Sequence, residues 1–485
     1  MLLVAIFMAL PIKAFESKYR FKVNNNQNYN LLTDTKLNKN RLFKDQLIVK
    51  FKPGTTKLFV NQFAKRENLT LLKKLKDNLY VFKALKVNQI QNLMKNFELQ
   101  SYERNFFLDS DNILAIDIDE LRKISIDKFK SQVVRIDSNV TKDFSTKQWY
   151  LENNGINGLK ENCDINAKEA WKLSSGAGVL VAVIDTGFDL AHPDINYFNS
   201  GFDVINHVAN ASAPNFSNEN HATAVAGLIS ARDNGFGVTG VAPSAQIIPI
   251  RMISDDGYVE VSSIIEAHYK AVEMGARIIN NSWGSTNDSL ELGSEMELTE
   301  LEKEMYEDIY KNSHGGKGTL IIFSSGNSSS SNLYNSPEAR SSYTLAVGST
   351  DSTDQRVSFS NYGQGLDLVA PGGGSRGIYT TDRGDIKIMK KSELKKLIRG
   401  YQKGDYTTNF SGTSASAPIV AGVAALVLSL NQELSANELK NILINSANKN
   451  LHPKYNFDEN GWNKEVGYGR VDAKQALDLS LRLVP

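Results

Sequence analysis

Two rhythms of apolar and polar positions divide this chain. Over 46–51 (QLIVKF) the residues alternate towards a strand, over 57–65 apolar positions fall at helical spacing, and strand patterns return at 69–74 and in NLYVF at 78–82. A helical stretch over 89–97 and a strand over 99–107 complete a predicted β-α-β-β-α-β unit spanning 45–110. From Trp149 onward the strand runs become almost wholly apolar: VLVAVI (179–184), AQIIPIRMI (245–253), ARIINNS (276–282), GTLIIFSSG (318–326) and YTLAVGS (343–349), with helical stretches between them. Such strands predict an α/β domain over 148–485 built on a largely parallel sheet covered on both faces. In sheets of this kind functional groups gather at the carboxyl ends of the strands.

The rest of the chain is read from composition. Leu2 to Leu10 is an unbroken apolar run closed by Pro11, with the small Ala14 beyond it, which is the layout of a secretory signal peptide over 1–14 without a basic start. It is too short to span a bilayer. Residues 15–44, rich in Asn and Lys, read as a flexible leader, and 111–147 as a motif-free linker with some helix around 119–130. The other long apolar stretch, Ala415 to Leu430, contains Ser416, Pro418 and Gly422, so it reads as a buried helix and no stable membrane anchor is expected. Among 485 residues, 55 Lys and Arg against 54 Asp and Glu leave a net charge of +1, which excludes the basic excess of a nucleic-acid partner. Cys163 is the single cysteine, so no internal disulfide forms, and a secreted or periplasmic protein must draw extra stability from packing or bound ions.

Three strand or helix ends carry polar residues that change the picture. Asp185 follows a buried strand in VAVIDTGFDLAHPDI, where a carboxylate also serves as a turn or cap residue. His221 opens the Ala-rich NHATAVAGLIS, and Ser414 stands at the start of the long apolar helix in FSGTSASAPIV, where Ser is an expected N-cap. Each is ordinary alone. Together they supply what acyl transfer needs: a hydroxyl nucleophile, an imidazole to take its proton, and a carboxylate to hold the imidazole's tautomer.

With these strings in the order Asp, His, Ser, and with GYGRVDAKQAL at 467–477 as a closing segment, the sequence resembles the subtilisin-like serine proteases from about Trp149 to its end. The resemblance implies a subtilisin-like fold and a serine endopeptidase in which Ser414, His221 and Asp185 form the catalytic triad. Asn327, in IIFSSGNSSS, takes the place of the oxyanion donor beside the Ser414 backbone N–H. NNSWG places Ser282, Trp283 and Gly284 on the strand that pairs with an extended polypeptide substrate and walls its pocket. It departs from the family pattern at Ala222, Ala224 and Ala415, which replace a Gly, a second His and a Met that carry no proton-transfer step.

The same resemblance implies a structural Ca2+ between Asp194 of HPDI and the loop ARDNGFGVTGVAPSA, with Asn234, the carbonyls of Arg232, Phe236 and Val238, and an added carboxylate from Asp143; a metal-free hydrogen-bonded turn is the alternative. It also gives the 45–110 unit the meaning of an inhibitory, ferredoxin-like propeptide domain, a partner of the enzyme until it is cleaved off; a free-standing binding module is the alternative. The expected protein is thus a secreted or periplasmic, monomeric, self-processed zymogen, set against a secreted scaffold that keeps the fold without activity. Two segments exceed the family minimum. Residues 285–310 hold nine Asp or Glu and 376–403 nine Lys or Arg, readable as solvated helix faces or as charged rims that influence substrate choice, the first towards basic peptides.

Overall fold

In a computed structural model of the chain, residues 143–483 are described apart from 156–158, 216, 256, 287–296, 332, 334–335 and 391–392. Before 143 the described residues are 21–23, 32–34, 40–41, 46–50, 57–66, 69–76, 79–84, 102–104, 107–110 and 133–135. The signal-peptide run, the helices read at 89–97 and 119–130, and most of the leader and linker lie outside them.

The chain divides into two compact units. The larger is built on a seven-stranded sheet: β1 (Leu180–Asp185), β2 (Phe202–Asp203), β3 (Gln246–Arg251), β4 (Ile278–Asn281), β5 (Leu320–Ser324), β6 (Leu345–Thr350) and β7 (Leu368–Pro371), in the order β2-β3-β1-β4-β5-β6-β7. All six pairings among its seven strands are parallel. Strands covered on both faces need continuous apolar runs, and after its first residue β1 is buried at every position, as β4, β5 and β6 are throughout. Helices α1 (His221–Ser230) and α2 (Thr413–Leu430) pack against each other. Both are apolar nearly all round, and α1 is buried at all ten positions, so they are core helices. The run 415–430 is therefore the interior of a globular domain, as its Ser, Pro and Gly suggested.

The basic segment departs from its helical reading. Ile386–Lys390 and Glu393–Leu397 form an antiparallel hairpin, and Val133–Arg135, within the stretch read as linker, adds to it as a third strand. The acidic segment does hold a helix, Glu300–Asn312, with surface pairs Lys303–Glu300 and Lys311–Glu307.

The smaller unit gathers Met1–Asp109 with Tyr258–Tyr269 and Asn287–Met305. Its four-stranded antiparallel sheet runs Leu69–Lys76, Leu79–Ala84, Gln46–Lys50, Tyr102–Arg104, and Lys57–Arg66 is its helix. Val60, Ala64, Leu69, Tyr80, Val81 and Phe82 are buried there. Within the same unit Phe107–Asp109 pairs antiparallel with Tyr258–Glu260, and Lys73 makes a 2.7 Å ion pair with Glu266.

Candidate active site

The two ends of the sheet are not equivalent, and the chemistry sits at the carboxyl end. Asp185 is the last residue of β1 and fully buried. His221 is the first residue of α1, after the N-cap Asn220, so its ring leaves the helix where it opens. Both Asp185 carboxylate oxygens lie 2.9 Å from His221 Nδ1. A carboxylate is acceptor-only, so Nδ1 carries a proton, and in the neutral ring Nε2 is the acceptor. Nε2 is buried and has no hydrogen-bond partner among the described residues. Phe410 closes one side of the imidazole, ring centroids 5.5 Å apart.

Ser414 is the second residue of α2 and not its N-cap; that place belongs to Gly412, whose φ of 115° suits only glycine. This turn sets the hydroxyl at the head of a core helix. Its Oγ donates to the Ser282 carbonyl at 2.9 Å, and Ser282 Oγ donates back to the Ser414 carbonyl at 3.0 Å. The second bond answers a local need. Pro418, four residues on, has no N–H to offer the Ser414 carbonyl, and Ser282 fills the vacancy from the end of β4.

Asn327 follows β5 after one turn of chain. Its Oδ1 accepts both the Thr413 N–H and the Thr413 hydroxyl at 2.9 Å, which fixes the amide with Nδ2 on the opposite side. The Ser414 N–H, in the first turn of α2, has no acceptor within the helix. Trp283 is buried, donates Nε1 to the Ile184 carbonyl at 2.8 Å and packs edge-on against Phe323 at 5.2 Å, whereas a side chain added at Gly284 would meet nothing within 4 Å. Ser282, Trp283 and Gly284 thus leave β4 with one residue anchored and the next facing open space.

Asp194 and Asn234 also come together: Asn234 Nδ2 donates to Asp194 Oδ1 at 2.9 Å and the Val238 N–H to Oδ2 at 3.1 Å. Burial pushes the Asp194 carboxyl up from 3.8 to about 6, against which these neutral donors pull only part of the way. Asp143 joins the same loop through its backbone, as Phe144 N–H donates to the Gly237 carbonyl at 2.7 Å; its own carboxylate accepts the Ser145 N–H. Among the described residues no cluster of three His, Cys, Asp or Glu side chains stands ready for a metal, so any ion here relies on Asp194, amide and carbonyl oxygens.

Sequence reasoning missed the residues that hold the site. Thr186 Oγ1 accepts the Ala222 N–H at 3.1 Å, Glu219 accepts the Gly187 N–H at 2.7 Å, and Arg383, buried and below its ordinary basicity at about 10, donates to the carbonyls of Ser217 and Glu219. The only trace in the sequence is that Arg251 is a charge inside an otherwise apolar strand; nothing local links it to Glu219.

A family model described as the subtilase family matches residues 176–469. A calcium-dependent protease of Nostoc sp. (strain PCC 7120 / SAG 25.82 / UTEX 2576) is 31% identical over 356 residues, covering 70% of this chain and 52% of the relative. Subtilisin BL of Lederbergia lenta is 34% identical over 274 residues, covering 56% of this chain and 84% of that protein. Among solved structures, fervidolysin of Fervidobacterium pennivorans, a keratinolytic enzyme related to subtilisin, aligns at a TM-score of 0.62 with 22% identity over 94% of this chain and 64% of its own. The chain spans about half the length of the first of these relatives. Its sheet order, core helices and the match over 176–469 make it a subtilisin-like fold, and the chain belongs to the subtilase family.

Proposed function

We propose that this protein is a secreted serine endopeptidase made as a self-processed zymogen. The observation that carries the reading is the meeting of Asp185 and His221 at 2.9 Å with Ser414 and Asn327 at the same end of the sheet. His221, held as the Nδ1–H tautomer, takes the Ser414 proton at Nε2 as Oγ attacks a peptide carbonyl, then returns it to the leaving amine; Asp185 stabilises the imidazolium between these steps. The oxyanion is met by Asn327 Nδ2 and the Ser414 N–H, two donors fixed before the charge develops. Water then attacks the acyl-enzyme with His221 again as base. The curated relatives matched are proteases by name, which supports the same class here.

Asp194, Asn234 and the carbonyls of Arg232, Phe236 and Val238 would hold Ca2+, in keeping with relatives named calcium-dependent proteases. A buried carboxyl raised to about 6 beside oxygen donors is a site short of positive charge, and the ion supplies that charge and cross-links two loops. For the propeptide reading, support comes from the antiparallel order of the 46–104 sheet and from Phe107–Asp109 lying as an added strand on Tyr258–Glu260.

The test is titration with a fluorophosphonate. Stoichiometric labelling of processed protein that vanishes in Ser414→Ala and falls sharply in His221→Ala is expected, with casein hydrolysis lost in parallel. A processed sample that takes no label would instead make the chain a scaffold.

A further inference from the structure

Two hydrogen bonds straddle the Asp185–His221 pair, each joining a residue within two positions of one partner to a residue within two positions of the other. On one side Thr186 Oγ1 accepts the Ala222 N–H. On the other, Glu219, two residues before His221, accepts the N–H of Gly187, two residues after Asp185, at 2.7 Å. The Glu219 side chain is buried and shared: Arg251 Nε donates to the same Oε2 at 2.6 Å and Arg251 Nη2 to Oε1 at 2.5 Å. Arg251 ends β3 directly beside Asp185 in the sheet register, and its Nη1 reaches Asp203 of β2 at 2.8 Å. The carboxylate is therefore pinned from the sheet and in turn pins the turn after Asp185. The turn has no room for a side chain, since a Cβ at Gly187 would lie 2.4 Å from Ala213 Cα and 2.6 Å from Glu219 Oε2.

We propose that Glu219 is a positioning residue for the catalytic pair: through Gly187 it fixes the distance between the Asp185 turn and the start of α1, and Arg251 serves to hold Glu219 in place. The inference rests on the protease reading above. It assigns Glu219 no proton transfer, because all the donors that meet it belong to the protein. A buried charge pair retained for stability alone would be satisfied by any well-packed uncharged replacement. A positioning role requires an acceptor for the Gly187 N–H.

Two double variants separate these cases, with rates expressed per fluorophosphonate-titrated site. Glu219→Gln/Arg251→Met removes both charges and keeps an acceptor; Glu219→Met/Arg251→Met removes both charges and the acceptor. Expected are a kcat within about threefold of wild type for the first and a loss of about 10- to 100-fold for the second with KM within about twofold, the size of effect that a small misplacement of catalytic groups produces. Should the second variant not fold, Glu219→Leu/Arg251→Leu, which removes the same charges and the same acceptor with a different packing, is expected to show the same fall in kcat. Equal kcat for the acceptor-bearing and acceptor-free doubles, or a loss confined to KM, overturns the positioning role. Absence of labelling in the wild type overturns the protease reading and not this geometry.

Discussion

The hydroxyl of Ser414 is bound to the carbonyl of Ser282 at 2.9 Å, while His221 Nε2, the nitrogen that takes its proton in the proposed mechanism, has no partner among the described residues. The proposed nucleophile thus rests on the residue that follows β4.

The proposed oxyanion donor, Asn327, is held by Thr413. Loss of the Asn327 amide in Asn327→Ala should lower kcat about 10²–10³-fold with little change in KM, the range found in subtilisin for such a donor. Thr413→Val keeps the N–H that binds Asn327 Oδ1 and loses the hydroxyl, which also accepts the Gly326 N–H at 3.2 Å. It should fall in the same direction by a smaller factor. Steady-state kinetics on a peptide anilide decide this, and an unchanged kcat in Asn327→Ala would remove the oxyanion assignment.

Why were the residues of the proposed triad legible when their supports were not? Asp185 and His221, which meet in the structure, stand with Ser414 in short strings that carry the family resemblance, whereas their supports stand in none. The five long apolar strands were visible by their apolar runs. Phe202–Asp203 is two residues long, which is below any periodicity. Leu368–Pro371 ends in a proline that argues against a central strand, and β7 is indeed the sheet's edge, where a missing N–H costs nothing. The hairpin at 386–397 hides in a Lys-rich run that reads equally as a solvated helix. Glu219 and Arg251 meet across 32 positions, and no local pattern announces such a pair.

Packing around α1 gives a stability prediction. Gly227 faces Thr381, whose Oγ1 would lie 2.0 Å from an added Cβ and already donates to the Thr223 carbonyl at 2.6 Å, two residues beyond His221. Gly227→Ala gains about 1 kcal/mol of helix propensity and incurs about 1–3 kcal/mol of overpacking, so the thermal midpoint should drop by a few degrees. A rise in the midpoint would mean that the strand Ile378–Thr381 yields without cost.

Calcium binding should depend on pH in a direction set by Asp194. Its carboxyl is raised from 3.8 to about 6, so in metal-free protein this group's contribution to stability is full below about pH 4 and is lost as pH rises through 6. Ca2+ must displace that proton, so its apparent affinity should weaken as pH falls below about 6, by up to tenfold per unit. Calorimetric titration at pH 7.5 and pH 5 measures the difference. At pH 7.5 chelation should lower the thermal midpoint and added Ca2+ restore it, a response that Asp194→Ala should largely abolish. A wild-type midpoint indifferent to chelator would leave the loop as a hydrogen-bonded turn.

Maturation is tested by the strand at Phe107–Asp109. An extended segment held antiparallel on Tyr258–Glu260 has the extended backbone that a protease substrate adopts. A scissile bond at or soon after Asp109 would free the 45–110 unit. Wild-type protein should therefore accumulate as a shorter species with a new N-terminus near 110, and Ser414→Ala should remain the longer precursor. Residues 40–110 produced separately should inhibit the mature enzyme in trans, because the surfaces they cover do not depend on a continuous chain. Trimming of Ser414→Ala at the same bond in a protease-deficient host would show that another protease makes the cut. If the separate unit neither binds nor inhibits, it is a free-standing module and the strand on Tyr258–Glu260 is incidental to control of the site.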